Sequence, residues 1–113
     1  MMILKDPITL DELKKISAAM FGNMVKAVVD VDRKLIAIDA ELHSDLEALL
    51  LENGSKQFNL WGINIYPDLS GDDFIEFDSM INVRPSRGNR SRSVEDERIR
   101  NMIVGLVTAG IIR

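Results

Sequence analysis

The sequence predicts an α+β fold of two layers, in which a mainly antiparallel sheet of two β-hairpins carries three helices on one face. Three segments have apolar residues at helical spacing, and two pairs of alternating apolar runs are each joined by a turn. These segments follow one another in the order α-β-β-α-β-β-α. Since the chain has 113 residues, no internal repeat and no linker, residues 1–113 are expected to form one domain.

The first helix is predicted over residues 9–21. Thr9 and Glu12 have the spacing of a capping box, and Gly22 is typical of the residue that follows a helix. The apolar stripe between them consists of Leu10, Leu13, Ile16 and Met20. A short edge strand is expected upstream, at residues 3–4.

Both hairpins are predicted from alternating runs. The first joins residues 24–31 and 35–38 through a tight turn, and one face of its first strand carries Val25, Ala27, Val29 and Val31. The second joins residues 60–66 and 74–83 through a turn-rich loop, with apolar and polar residues alternating in both runs.

The second helix is predicted over residues 44–53, starting from a capping-box pattern at Ser44 and Glu47. The apolar run at 48–51 would also suit a buried strand, so this segment has two interpretations. The third helix is predicted to start from a cap at Ser93 and to have an acidic first turn. Its apolar stripe consists of Ile99, Met102, Ile103, Leu106 and Val107.

The composition excludes several classes of site. Because the chain has no cysteine, disulfides, thiolate zinc sites and cysteine nucleophiles are ruled out. No Walker loop, dinucleotide-binding fingerprint, nucleophile elbow or paired-histidine zinc motif is present. No apolar run approaches the roughly 20 residues of a membrane-spanning helix, and the apolar N-terminal stretch is too short for a secretory signal. A cytoplasmic location without membrane contact is therefore expected.

Two stretches of the sequence have the pattern of a family signature. The first, within residues 43–67, reads HxDxE followed by GSxQxxLWGxNxYP, and the second, within residues 75–91, reads IEFxSxINxRPxxGNRS. Together they resemble a small single-domain prokaryotic family of unknown function. The resemblance covers most of the chain and implies a stand-alone cytoplasmic protein, but it assigns no catalytic residue, cofactor or ligand.

The formal net charge of −4 conceals an uneven distribution. Residues 1–83 have seven basic and fifteen acidic side chains, whereas residues 84–113 have seven arginines and three acids. Four arginines fall within nine residues, namely Arg84, Arg87, Arg90 and Arg92. Arginine binds phosphate or carboxylate through two parallel hydrogen bonds, and the glycine and serines nearby allow backbone N–H groups to approach an anion. The segment therefore predicts a loop, including Asn89, that binds a phosphorylated or other anionic ligand.

The same arginines have other interpretations. The acidic body of the chain could pair with them, and Glu95, Asp96 and Glu97 occupy the helix start that an external anion would use. They could also belong to a protein interface. No aromatic residues are interleaved with the arginines, which disfavours nucleic acid without excluding it.

A second group of candidates centres on the only histidine. His43, Asp45 and Glu47 occupy alternate positions, and Asp39 and Glu41 lie just upstream. Such side chains could ligate a divalent metal, or act as a base with an orienting carboxylate, so they are candidate catalytic residues of a metal-dependent hydrolase. Ordinary helix-start preferences explain the two carboxylates equally well. No metal site is therefore assigned.

A third group lies on the predicted second hairpin. One face of it would carry Asn64, Tyr66, Glu76, Asp78 and Asn82, with Arg84 and Arg90 at the rim. This alternation predicts either the floor of a polar cleft or a solvated sheet face without function.

Binding of an anionic ligand is therefore the preferred function. The alternative is a protein-interaction or homo-oligomeric module, suggested by the apolar residues Val104, Ile111 and Ile112 outside the helix stripe. A metal-dependent hydrolase is the third hypothesis, and the sequence does not decide whether the protein is an enzyme.

Overall fold

The chain folds into three helices, a five-stranded sheet and a separate pair of short strands, and the computed structural model describes all 113 residues. In chain order the elements are β1 (Met2–Ile3), β2 (Ile8–Thr9), α1 (Leu10–Ala19), β3 (Val25–Asp30), β4 (Leu35–Ile38), α2 (His43–Glu52), β5 (Leu60–Ile65), β6 (Ile75–Glu76), α3 (Glu97–Gly110) and β7 (Ile111–Ile112). The α+β class is as predicted. No helix combines the length and the apolar character that crossing a membrane requires.

The larger sheet has the strand order β1-β4-β3-β5-β6, and all neighbouring strands are antiparallel. The predicted first hairpin is confirmed as β3 and β4. Its turn is fixed by Asp30, whose Oδ1 accepts hydrogen bonds from the backbone N–H groups of Asp32 (3.0 Å) and Arg33 (2.9 Å). β5 pairs with the other edge of β3, which places β3 at the centre of the sheet. The strands β2 and β7 form a parallel pair.

Helices cover both faces of the larger sheet, whereas the sequence predicted helices on one face only. Ala27 and Val29 of β3 pack in the core that α1 and α3 cover. Val28, which lies between them and points the other way, packs against Leu46 and Leu50 of α2. Because β3 is buried on both sides, it needs a helix layer on each. The fold therefore has three layers, with α2 alone on one face.

The starts of the helices agree only partly with the predictions. Thr9 caps α1 through its hydroxyl group, as predicted. Residues 43–52 are helical, so the alternative of a strand at 48–51 is wrong. The N-cap of α2 is Leu42, and the predicted cap Ser44 lies inside the helix. Asp96 caps α3 through its carboxylate, three residues beyond the predicted cap.

The second hairpin is much shorter than predicted, because β6 has only two residues in place of a strand over 74–83. After β6 the chain leaves the sheet and forms a 3₁₀ turn at Met80–Asn82. The buried Asn82 side chain then bonds to β5: its Oδ1 accepts from the Gly62 N–H at 2.8 Å, and its Nδ2 donates to the Gly62 carbonyl at 2.9 Å. The side-chain amide thus takes the place of a strand backbone at the edge of β5.

Candidate functional site

The arginine-rich loop before α3 is closed by hydrogen bonds. Arg84 and Asn89 exchange two backbone hydrogen bonds, at 2.7 and 3.2 Å, and Gly88 makes the turn with a φ of +81°. The buried Asn89 amide donates to the carbonyl groups of Asn82 and Ser93, both at 2.7 Å. This network fixes the backbone positions from which the arginines project. Asn89, predicted to bind a ligand, has its side chain engaged inside the loop.

Arg84 is the most enclosed arginine of the loop, with a side chain that is 12% exposed. Its Nη2 lies 3.6 Å from Oε2 of Glu47, and its guanidinium lies 5.0 Å from the centre of the Trp61 ring. Both terminal nitrogens are buried and neither has a hydrogen-bond partner. Burial lowers the pKa of Arg84, and the negative charge of Glu47 acts in the opposite direction.

Two cavities meet at Arg84. The first has a volume of about 280 Å³ and is lined by Arg84, Arg87, Trp61 and Phe58, with Glu95 and Asp96 also contributing. We call it the Arg84 cavity. At this cavity, Nε1 of Trp61 is buried and has no hydrogen-bond partner, as is also true of the two terminal nitrogens of Arg84. The second cavity, of about 620 Å³, shares Arg84, Arg87 and Phe58 with the first. The Arg87 guanidinium lies 4.9 Å from the centre of the Phe58 ring.

The other two arginines of the loop lie outside these cavities. Arg92 pairs with Asp78, with Nε and Oδ1 2.7 Å apart. The backbone N–H groups of Arg90 and Ser91 donate to Oε2 of Glu95 at 2.6 and 2.9 Å, and the Ser91 hydroxyl donates to the same atom at 3.1 Å. These hydrogen bonds lower the pKa of Glu95. The backbone concavity at 90–91 therefore holds one of the protein's own carboxylates.

The three candidates around the histidine do not converge. His43 is buried against the sheet, and its Nε2 donates to the Ile63 carbonyl at 2.8 Å. Asp45 is exposed, and Glu47 faces Arg84. Nowhere in the molecule do three or more histidine, aspartate or glutamate side chains come close enough together to hold a metal ion.

The residues predicted for the floor of the cleft are brought together, with one exception, whereas the predicted rim residues Arg84 and Arg90 do not line the same cavity. Glu76 Oε1 accepts hydrogen bonds from Asn64 Nδ2 at 2.8 Å and from the Tyr66 hydroxyl at 2.9 Å. They line a cavity of about 550 Å³ together with Asp78 and His43, which we call the His43 cavity. Asn82 is the exception, because its side chain is buried in bonds to the backbone.

Three residues of these cavities were missed by the sequence predictions. The Trp61 ring packs in the core, as the alternation of its strand predicts, but its Nε1 has no hydrogen-bond partner at the Arg84 cavity. Phe58 lies in a 3₁₀ turn that had no periodic pattern. Lys26, which lines the His43 cavity, lies opposite Asn64 in the strand register, and pairing β3 with β5 would have revealed it.

The comparisons with known proteins give the family and no activity. A family model described as a protein of unknown function, DUF5674, matches residues 2–109. No curated protein and no solved structure matches the chain. As its match to nearly the whole chain shows, this protein belongs to the DUF5674 family of unknown function.

Proposed function

We propose that this protein binds a small anionic ligand, carrying a phosphate or carboxylate group, in the Arg84 cavity. One observation carries the proposal: three buried N–H donors, the two terminal nitrogens of Arg84 and Nε1 of Trp61, have no hydrogen-bond partner beside the same cavity. A buried donor without a partner costs about 1–3 kcal/mol, and more when it is charged. An anion that accepts from these donors would remove that cost.

Glu47 does not satisfy Arg84 by itself. Its oxygen lies 3.6 Å from the nearest guanidinium nitrogen, which is longer than the roughly 2.7–3.2 Å of an N–H···O hydrogen bond. The carboxylate also touches only one edge of the guanidinium fork, since Nη1 has no ion pair. The fork therefore keeps donors for a second acceptor, and a phosphate can use two of them at once.

Arg87 and Phe58 complete the proposed site. Arg87 is exposed and would add a second positive charge that does not depend on burial. The Phe58 ring, held under its guanidinium, would offer an apolar surface to the body of the ligand. The volume of about 280 Å³ suits a small molecule, and the acidic Glu95 and Asp96 at the cavity disfavour a long polyanion such as nucleic acid.

Calorimetric titration with inorganic phosphate, glycerol 3-phosphate and succinate tests the proposal. Arg84→Lys keeps the charge that faces Glu47 but removes the planar fork, and Arg87→Gln removes one exposed charge. Each is expected to weaken binding of the best probe by about tenfold or more, equivalent to about 1.4 kcal/mol.

Arg92→Gln is the matched control, because it lies in the same loop but pairs with Asp78 outside the cavity. It should bind the probes like the wild type. If no probe binds the wild type, or if the control weakens binding as much as Arg87→Gln does, the proposal is wrong.

An interaction or homo-oligomeric module is the second candidate function. It is favoured by apolar side chains that remain exposed near the C-terminus, at Met102 and Val104 of α3 and at Ile112 of β7. If these side chains form an interface between copies, light scattering should detect a dimer that Val104→Glu converts to a monomer.

A further inference from the structure

The His43 cavity rests on a row of three polar residues across the sheet. Lys26 on β3 lies opposite Asn64 on β5, and Asn64 lies opposite Glu76 on β6, so their side chains share one sheet face. It is the face that α2 covers, but the helix begins only at His43. The row of polar residues therefore lies beyond the N-terminal end of α2, and a cavity of about 550 Å³ remains above the row.

Asn64 carries an unused acceptor in this cavity. The residue is 6% exposed, and its Nδ2 donates to Oε1 of Glu76 at 2.8 Å and to the carbonyl of Asp78 at 3.3 Å. Because both partners are acceptors, they fix the orientation of the amide and leave Oδ1 as the atom to be satisfied. Oδ1 is buried and has no hydrogen-bond partner. Only a doubly protonated His43 ring could donate to it from within the chain, so with His43 neutral this atom requires an N–H or O–H donor from outside.

His43 adds a second acceptor at the same place. Since its Nε2 donates to a backbone carbonyl, the proton of the neutral ring is on Nε2 and the free lone pair is on Nδ1. Burial lowers the pKa of His43 and the nearby Lys26 adds to this effect, whereas the hydrogen bonds to Ile63 and Asn64 act in the opposite direction. The net shift of the pKa is downward, so the ring is neutral at physiological pH.

Two opposite charges flank these acceptors without pairing with each other. Lys26 and Glu76 are two strand spacings apart, about 10 Å, with Asn64 between them. Neither side chain forms an ion pair, whereas the remaining charges of the cavity, Asp78 and Arg92, pair with each other. Leu42 and Met80 add an exposed apolar wall. The cavity thus has a positive end, a negative end, a buried acceptor at Asn64 Oδ1 and an apolar side.

We propose that the His43 cavity binds a small zwitterion that has an ammonium and a carboxylate group on an apolar body, as an apolar amino acid does. The ammonium donates to Asn64 Oδ1 and pairs with Glu76, and the carboxylate pairs with Lys26. The apolar body packs against Leu42 and Met80. This site is separate from the Arg84 cavity and does not depend on the function proposed for it.

A titration followed by ¹H–¹⁵N NMR tests the proposal with three probes of one shape: leucine, 3-methylbutylamine, which lacks the carboxylate, and 4-methylpentanoate, which lacks the ammonium. Up to about 10 mM of each probe is added, enough to saturate a site with a Kd of about 1 mM. Leucine should shift the resonances of residues that line the cavity, the amine should bind more weakly, and the acid should not bind. No shift with leucine, or equal binding of the acid, would overturn the proposal.

Two variants test which charged residue binds which charged group of the ligand, and both change side chains that are not fully buried. Glu76→Gln should weaken leucine and 3-methylbutylamine by similar factors of about ten, whereas Lys26→Met should weaken leucine alone. Lys56→Met and Glu97→Gln are matched controls at exposed positions outside the cavity, and they should leave both affinities unchanged. Equal losses in the variants and their controls would show a general charge effect and contradict the proposal.

Discussion

Single polar side chains hold this molecule together at places where the backbone has no regular partner. Asn82 bonds to both polar groups of Gly62, and Asp30, although buried, accepts from two turn N–H groups and from the Ser55 hydroxyl at 2.6 Å. The sequence predictions placed Asn82 on the floor of a cleft, because alternation alone does not distinguish a solvated amide from one that replaces a strand. Every polar atom of the Asn82 side chain is hydrogen-bonded within the protein, which makes this amide a poor ligand for a substrate.

His43 is the residue at which pH should alter stability. Burial lowers its pKa in the folded state below the ordinary value of 6.5, so the unfolded chain binds the proton more readily. The stabilisation is complete above about pH 6.5 and is lost as the pH falls towards the lowered pKa, with a slope of at most about 1.4 kcal/mol per pH unit.

Urea unfolding at pH 7.5 and pH 5.5 measures this effect. The His43→Gln variant can still donate to the Ile63 carbonyl but does not titrate, so it should lose less stability than the wild type between the two pH values. Equal losses in the two proteins would show that other groups cause the acid sensitivity.

Among the elements, β5 depends on several parts of the chain for the hydrogen bonding of its two edges. β3 pairs with one of its edges, and β6 followed by the Asn82 side chain covers part of the other. The two long strands and all three helices could be predicted, because apolar periodicity and caps such as Thr9 are local signals. The short β6 could not, since the end of pairing depends on a contact between Gly62 and the segment that crosses it at Ser79.

That crossing predicts opposite effects for two Gly→Ala substitutions. An added Cβ at Gly62 would lie 2.6 Å from both Cβ and Oγ of Ser79, so Gly62→Ala should cost about 2 kcal/mol of stability. Gly105→Ala, on the exposed side of α3 with nothing within 4 Å, should instead stabilise the protein by up to about 1 kcal/mol. Urea unfolding measures both values, and a neutral Gly62→Ala would mean that the crossing segment can move away.

At the scale of the whole molecule, the sheet is enclosed between two unequal helix layers. The number of layers could not be predicted, because Val28 lies between Lys26 and Asp30 in the sequence and that face looked polar. In the fold, Asp30 is satisfied by hydrogen bonds, Lys26 lies at the His43 cavity, and Val28 packs under α2. The Arg84 cavity and the His43 cavity could not be predicted either, because each is lined by residues from distant parts of the chain that only the tertiary fold brings together.

The parallel pair of β2 and β7 predicts how strongly the end of the chain contributes to stability. Ile111 of β7 lies opposite Ile8 and is 7% exposed, whereas its neighbour Ile112 is 54% exposed. Ile111→Ala should therefore cost about 3 kcal/mol, and Ile112→Ala should cost less than about 1 kcal/mol. Thermal and urea unfolding compare the two, and equal costs would show that the pair does not anchor the chain end.

The outer strands of the five-stranded sheet have a consequence for association in solution. β1 and β6 have two residues each, whereas the central β3 and β5 have six. An edge this short offers few unpaired N–H and C=O groups on which a strand from another molecule could add. At the β6 end, the Asn82 amide blocks Gly62, the next point at which such a strand could bond. The apolar central strands, rich in valine and isoleucine, are in this way shielded from strand-by-strand aggregation while the fold is intact.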